Sequence, residues 1–181
     1  GFGIQVYGDF SGYSDIAIGA ALILGFKLPI NFNKPFFATS PAEFWTRWHI
    51  SLSNWFRDYV YIPIGGSRKG KLYGMFALTL TMLLSGIWHG ANYTFIAWAS
   101  LHVIYLLIER QTNWYKRFKR IPYLLTILIF IQVTLAWIFF RAVSIDQAFN
   151  IVGRLVSFKP SNLDFFNTYL TGIVFLILAI I

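Results

Sequence analysis

Ser85-Gly86-Ile87-Trp88-His89-Gly90-Ala91-Asn92 decides how the chain is read. Residues 73–84 before it and 93–108 after it contain no Asp, Glu, Lys or Arg. An ionisable imidazole between two such runs is expected at membrane depth, where polar side chains are costly and face a cavity or a partner. Glycines on both sides of His89 predict a loosened or broken helix. Irregular backbone at that depth is tolerated only where protein buries it or it lines a watery cavity. The pattern therefore points the His89 side chain towards a site.

Composition supports a membrane setting. The 181 residues are 57% hydrophobic, 20% aromatic and only 12% charged. Soluble domains carry about a quarter charged residues, and the mean hydropathy here is +0.59. The expected class is an all-α integral membrane protein forming a single membrane domain over 1–181, without linker or internal repeat. The last apolar run, 169–181, is shorter than the ~20 residues a span needs. The chain is thus expected to be a fragment truncated at both ends, and a signal peptide cannot be judged on it. It has no Cys, which excludes disulfides, thiolate metal sites and a thiol nucleophile within it. The net charge of +8 is read as basic clusters marking the cytoplasmic side of a membrane, and nucleic acid is not an expected partner.

Residues 1–26 read as a first span carrying Asp9, Ser11, Tyr13, Ser14 and Asp15, with the two acids expected to face the protein interior. Residues 27–39 are irregular. Ser40-Pro41-Ala42-Glu43 is a helix start: Ser40 caps, Pro41 suits the first position and Glu43 completes a capping box. The helix is expected to run on to about residue 61. A wheel gathers Arg47, Ser51, Asn54 and Asp58 on one side and the aromatics on the other, with His49 beside Trp45 and Phe56. Such a helix belongs at the membrane interface.

The basic turn at 64–71 and the cluster Lys116, Arg117, Lys119 and Arg120 flank the His89 segment. If both clusters lie on one side, the arms 73–88 and 93–108 form a hairpin with His89 at its deep end, each arm ~24 Å long. Residues 121–140 read as an ordinary span closed by Arg141, a snorkelling anchor. Residues 142–167 read as a mostly external segment with a short amphipathic stretch.

Three chemistries are open to His89: general base, metal ligand or satisfied core residue. An imidazole near its ordinary pKa suits a base. A metal site is not expected, because His49 and His102 have no tight ligand spacing to His89 or to an acid. Base and core histidine stay equally open on pattern alone. His102 reads as structural, and His49 as either a substrate contact or a packed residue. Asp9 and Asp15 read as structural partners, with orientation of a substrate the other option.

Several separated strings carry a family resemblance. Asp9-Phe10-Ser11-Gly12-Tyr13-Ser14-Asp15, Phe44-Trp45-Thr46-Arg47-Trp48-His49-Ile50-Ser51-Leu52, Trp55-Phe56-Arg57-Asp58-Tyr59, Tyr61-Ile62-Pro63-Ile64-Gly65-Gly66, Gly86-Ile87-Trp88-His89-Gly90-Ala91 and Trp137-Ile138-Phe139-Phe140-Arg141-Ala142 resemble the membrane-bound O-acyltransferase (MBOAT) family. The branch they resemble most comprises the bacterial alginate O-acetylation and peptidoglycan O-acetyltransferase proteins. The family's usual N-terminal spans have no counterpart in these residues.

The resemblance implies a multi-span helical bundle with re-entrant or broken helices and an interfacial amphipathic helix, here the C-terminal part of the core. It implies a multi-pass enzyme of the bacterial cytoplasmic membrane, transferring an acyl group to a hydroxyl. His89 is then the catalytic residue and His49 a second functional position. Trp88, Asn92 or backbone N–H groups at the break are candidates for stabilising an oxyanion, and Asp15 and Arg47 are further candidate substrate-binding positions. No bound cofactor is implied. The donor is an acyl thioester, with acetyl-CoA expected, the acceptor an exported polysaccharide, and the partner an extracytoplasmic SGNH-type acetyltransferase. D-alanyl transfer to teichoic acid from a carrier-protein thioester is the second expectation. A transporter, which also uses broken helices, and a non-catalytic scaffold are the rival classes.

Overall fold

The structure, a computed structural model, describes residues 1–157, all helical or irregular with no β-strand among them. The final apolar run 169–181 and the end of the external segment lie outside the described residues. Helix α1 is Phe2–Ile23, and an irregular segment with a 3₁₀ turn at Pro35–Phe37 follows. Helices α2 (Pro41–Arg47) and α3 (Ile50–Phe56) come next, and α3 runs into a π turn at Arg57–Tyr61. Helix α4 (Lys71–His89) and helix α5 (Tyr93–Thr112) form the hairpin. The short α6 (Trp114–Arg117), the long α7 (Pro122–Arg141) and the amphipathic α8 (Ile145–Ser157) complete the described chain.

The helix break falls where the glycines predict it. Helix α4 stops at His89, Gly90 caps it, and Asn92 starts α5 by accepting the Thr94 N–H at 3.1 Å. The arms are longer than expected: 19 and 20 residues, or roughly 28–30 Å at 1.5 Å per residue. Charged residues at the outer ends, Lys71, Glu109 and Arg110, are good helix formers and extend both helices. Arg110 ties the open end together, donating to Gly74 O at 3.2 Å and Ser67 Oγ at 2.9 Å. Both basic segments therefore sit at one end of the hairpin and His89 at the other. Helix α7 returns to the His89 end, where Phe140 meets the imidazole at 5.1 Å between ring centroids.

Two described helices, α4 and α7, are long and apolar enough to cross a membrane, with mean hydropathies of 1.3 and 2.2. Helix α1 has the length but not the apolarity, and its Asp9 and Asp15 are exposed with respect to the described residues. The face α1 buries carries Phe2, Val6, Tyr7 and Ser14. Its first turn presses on α7, where Gly3 leaves room for the Trp137 ring that a Cβ would meet at 2.5 Å.

The expected continuous helix from residue 40 to 61 is interrupted. Ser40 caps α2 as predicted, accepting the Glu43 N–H at 3.2 Å. The capping box does not close: the Glu43 carboxylate takes the Thr39 N–H and hydroxyl, both at 2.7 Å, and pairs with Arg47. A second cap comes from α5, where buried Glu109 accepts the Ala42 N–H at 2.7 Å. Helix α2 then ends at Arg47, because Trp48 is extended and His49 adopts a left-handed conformation, φ 44° and ψ 53°. The irregular segment before α2 clamps this break, since Asn33 N–H donates to Arg47 O and Ile50 N–H donates to Asn31 O, each at 2.9 Å. Backbone groups that the lost helical turn would orphan are thereby satisfied. The aromatic core between α2, α5 and α7 centres on Phe44, Trp48, Trp98 and Trp137.

Candidate active site

His89 is the last residue of α4 and is half-buried. Its ring is held by aromatic faces, with centroids 5.2 Å from Trp98, 5.1 Å from Phe140 and 6.3 Å from Phe95. Among the described residues neither ring nitrogen has a hydrogen-bond partner, so packing alone orients it. Gly86, one turn earlier, lets α4 approach α5 closely: a Cβ there would lie 2.7 Å from Ala99 Cβ and 2.9 Å from Phe95 O.

His49 lies in the other break. A left-handed non-glycine residue costs about 1–2 kcal/mol, and such residues cluster at functional sites where the surroundings hold them in place. The break turns His49 away from Trp45 and Phe56, its neighbours on a continuous wheel, and towards Phe10 of α1 at 4.8 Å and Asn31. Burial first, and then the charge of a protonated His89, push the His49 imidazole down to about 4. The two histidines are thus brought within electrostatic reach of one another from segments far apart in the chain.

The other predicted positions are placed as follows. Trp88 is 59% exposed and stands edge-on to His89 at 4.9 Å. The Asn92 amide is engaged at both ends, since its oxygen caps α5 and its nitrogen donates to Val143 O at 3.1 Å. Arg47 is held by Glu43 at 2.7 Å and reaches Asn33 O at 3.4 Å, bracing the break from its polar side. Burial would raise the Glu43 pKa, but the hydrogen bonds from Thr39 and Arg47 outweigh it and hold the carboxyl low. Asp15 is exposed on α1. His102 is 2% exposed and enclosed by Phe44, Trp45, Trp98 and Tyr105, a core position. No metal-binding cluster of His, Cys, Asp or Glu occurs among the described residues.

Two cavities adjoin this region. A largely apolar cleft of about 250 Å³ runs along α4 past Leu78, Met82 and Ser85, with Trp45 across from them and Arg57 and Tyr61 also on its wall. A second, of about 320 Å³, lies between α1 and residues 28–31, and His49 forms part of its wall. Asn31, Trp98 and Phe140 were missed as contributors to the site from sequence. No spacing rule links residue 31 to residue 49, Trp98 reads as an ordinary residue of an apolar helix, and Phe140 lies in the family string 137–142 without a role assigned to it.

The same residues align with known proteins. The family model for MBOAT, membrane-bound O-acyltransferase family, matches residues 2–145. The chain is 46% identical to the probable alginate O-acetylase AlgI of Pseudomonas putida, over 93% of this chain and 35% of that protein. It is 41% identical to the peptidoglycan O-acetyltransferase of Helicobacter pylori, over 90% of this chain and 31% of that one. It is 35% identical to the teichoic acid D-alanyltransferase of Bacillus subtilis, over 67% of this chain and 33% of the relative. The chain spans about a third of the length of these curated relatives. With a family match that covers both helix breaks and both histidines, and relatives 41–46% identical over nine-tenths of the chain, the chain belongs to the membrane-bound O-acyltransferase family.

Proposed function

We propose that the protein containing this chain is a multi-pass O-acyltransferase of the bacterial cytoplasmic membrane, moving an acetyl group from a cytosolic thioester towards hydroxyls of an exported polysaccharide. The observation that carries this reading is that His49 and His89 each stand at a backbone break, close enough for the charge of one to act on the other, within the segment that the family match covers. The acetyl identity rests on relatives named for O-acetylation, which are more similar to the chain than the D-alanyltransferase.

In this reading His89 is the general base. It takes the proton of the acceptor hydroxyl as that oxygen attacks the thioester carbonyl. The C–S bond breaks, and the departing thiolate recovers the proton from the imidazolium. General-base assistance of this kind contributes ~10²–10⁴ in rate. The cleft along α4 suits the acyl-bearing arm of the donor, because it reaches Ser85, one helical turn before His89. The basic residues at the open end of the hairpin suit an anionic thioester carrier such as acetyl-CoA. Trp88 Nε1 and the backbone N–H groups of residues 91 and 92, adjacent to the base in the chain, are the proposed donors for a developing oxyanion; the Gly90 N–H is already given to Ile87 O. An extracytoplasmic SGNH-type protein is the proposed recipient or relay of the group. His49 serves as a second polar contact for the reacting groups.

The test uses membranes containing the full-length protein, supplied either with labelled acetyl-CoA or with a carrier protein loaded with labelled D-alanine. Label from acetyl-CoA on an exported polysaccharide is expected. Label from D-alanine alone would replace the acetyl reading with D-alanyl transfer. Solute flux without acyl transfer would sink the enzyme reading altogether.

A further inference from the structure

Asn31 lies in the irregular segment before α2, and its amide can be oriented from the network around it. The Ser51 backbone N–H can only donate, and it lies 3.2 Å from Asn31 Oδ1. The oxygen therefore faces Ser51, whose hydroxyl also donates to it at 2.9 Å. The amide nitrogen faces the other way and donates to Ser14 Oγ at 3.4 Å. His49 Nδ1 stands 3.2 Å from the same Oδ1. A carbonyl oxygen has no proton to give, so Nδ1 must carry the hydrogen of that contact. Neutral imidazole has one N–H, which leaves Nε2 with its lone pair. That nitrogen makes no hydrogen bond among the described residues and is not sealed from solvent.

We infer that Asn31 is a positioning residue that locks His49 in its Nδ1–H tautomer and so presents Nε2 as a hydrogen-bond acceptor for a hydroxyl-bearing ligand. His49 lines a cavity whose wall is largely apolar, with Tyr13, Ser14, Asn31 and Ser51 also on it, so few other polar groups there compete for a ligand's hydroxyl. His49 is not on the wall of the α4 cleft, nor His89 on the wall of this cavity. The assignment places His49 against a further hydroxyl of the acceptor on the α1 side, while His89 takes the proton of the reacting one and the thioester arm approaches along α4. Asn31 also accepts the Ile50 N–H through its main chain. One residue thus fixes both the strained backbone and the protonation pattern of His49. The functional part of the inference rests on the acyltransferase reading; the tautomer does not.

The test is ¹⁵N–¹H correlation of ring signals in the full-length protein labelled at histidine, with His49 assigned by their loss in His49→Gln. The Nδ1–H pattern is expected. Asn31→Leu should release the tautomer and lower kcat about 10–100-fold, as loss of an orienting partner does elsewhere. Asn31→Asp keeps an oxygen acceptor, so it should restore much of that rate. Its carboxylate favours the imidazolium, so the acid limb of the pH profile should move upward. The ionisable groups to account for are His89 on α4, whose charge reaches His49, and Tyr13 on α1, which shares its cavity. An Nε2–H pattern in the unaltered protein overturns the inference, as does an Asn31→Asp variant no different from Asn31→Leu. An Nδ1–H pattern in a protein that transfers no acyl group would sink the functional reading and leave the tautomer assignment standing.

Discussion

Replacing Gly86 with Ala should damage the site without touching a polar group. The added Cβ would lie 2.7 Å from Ala99 Cβ and 2.9 Å from Phe95 O. Carbon atoms prefer separations of about 3.5–4.0 Å, so α4 and α5 must part by about 1 Å. Neither clash is with the end of a flexible side chain, so the strain falls on the helix pair. Overpacking of this kind costs about 1–3 kcal/mol. His89 follows three residues later and rests on Trp98 and Phe95 of the helix being pushed away. Displacement by ~1 Å can cost ~10²-fold in rate. Purified full-length protein should therefore melt lower and transfer acyl groups far more slowly. Gly86→Ala combined with Ala99→Gly removes the closer clash and leaves the one with Phe95 O, so it should recover part of both losses. Wild-type melting and turnover in Gly86→Ala would refute the close-packed hairpin as the support of His89.

Other expectations follow from particular contacts. Glu109→Ala leaves the Ala42 N–H without its buried acceptor and should cost about 1.5–3 kcal/mol, read as a lower denaturation midpoint, with Glu109→Gln milder. Met82→Trp fills the cleft along α4, so it should raise KM for the thioester while leaving the ¹⁵N ring signals of His49 unchanged. His49 titrates at about 4 in the fold against ~6.5 unfolded, so the unfolded chain binds more protons between those values. Its contribution to stability is then full above pH ~6.5 and declines as pH falls towards 4. Melting temperature against pH should fall more steeply over that window in the native protein than in His49→Gln. In His89→Gln one cause of the depression is gone and burial remains, so His49 should titrate higher than about 4 but still below the unfolded value.

The hairpin was legible because its signals are local: charge-free arms, glycines beside His89, and basic residues at both outer ends. The start at Ser40-Pro41 was legible for the same reason. The break at His49 was not. Residues 41–61 keep a helical period, and nothing in them announces that residues 31–33 supply backbone partners for an interruption. A wheel drawn through the break consequently placed His49 beside the wrong aromatics. The direction α1 turns was not legible either: among the described residues it packs its Phe2, Val6 and Tyr7 face, and Asp9 and Asp15 stand off that face. Both histidines could be named from the family strings, but the residue that orients His49 could not. The Asn31–His49 hydrogen bond spans 18 positions, and long-range polar contacts leave no periodic trace.

The most direct measurement is acyl transfer by full-length His89→Ala protein at wild-type membrane abundance, with the thioester donor saturating. The loss of a general base predicts a fall in kcat of ~10²–10⁴-fold with little change in KM for the donor. Transfer within a few-fold of the unaltered protein would contradict the account of His89 as the base.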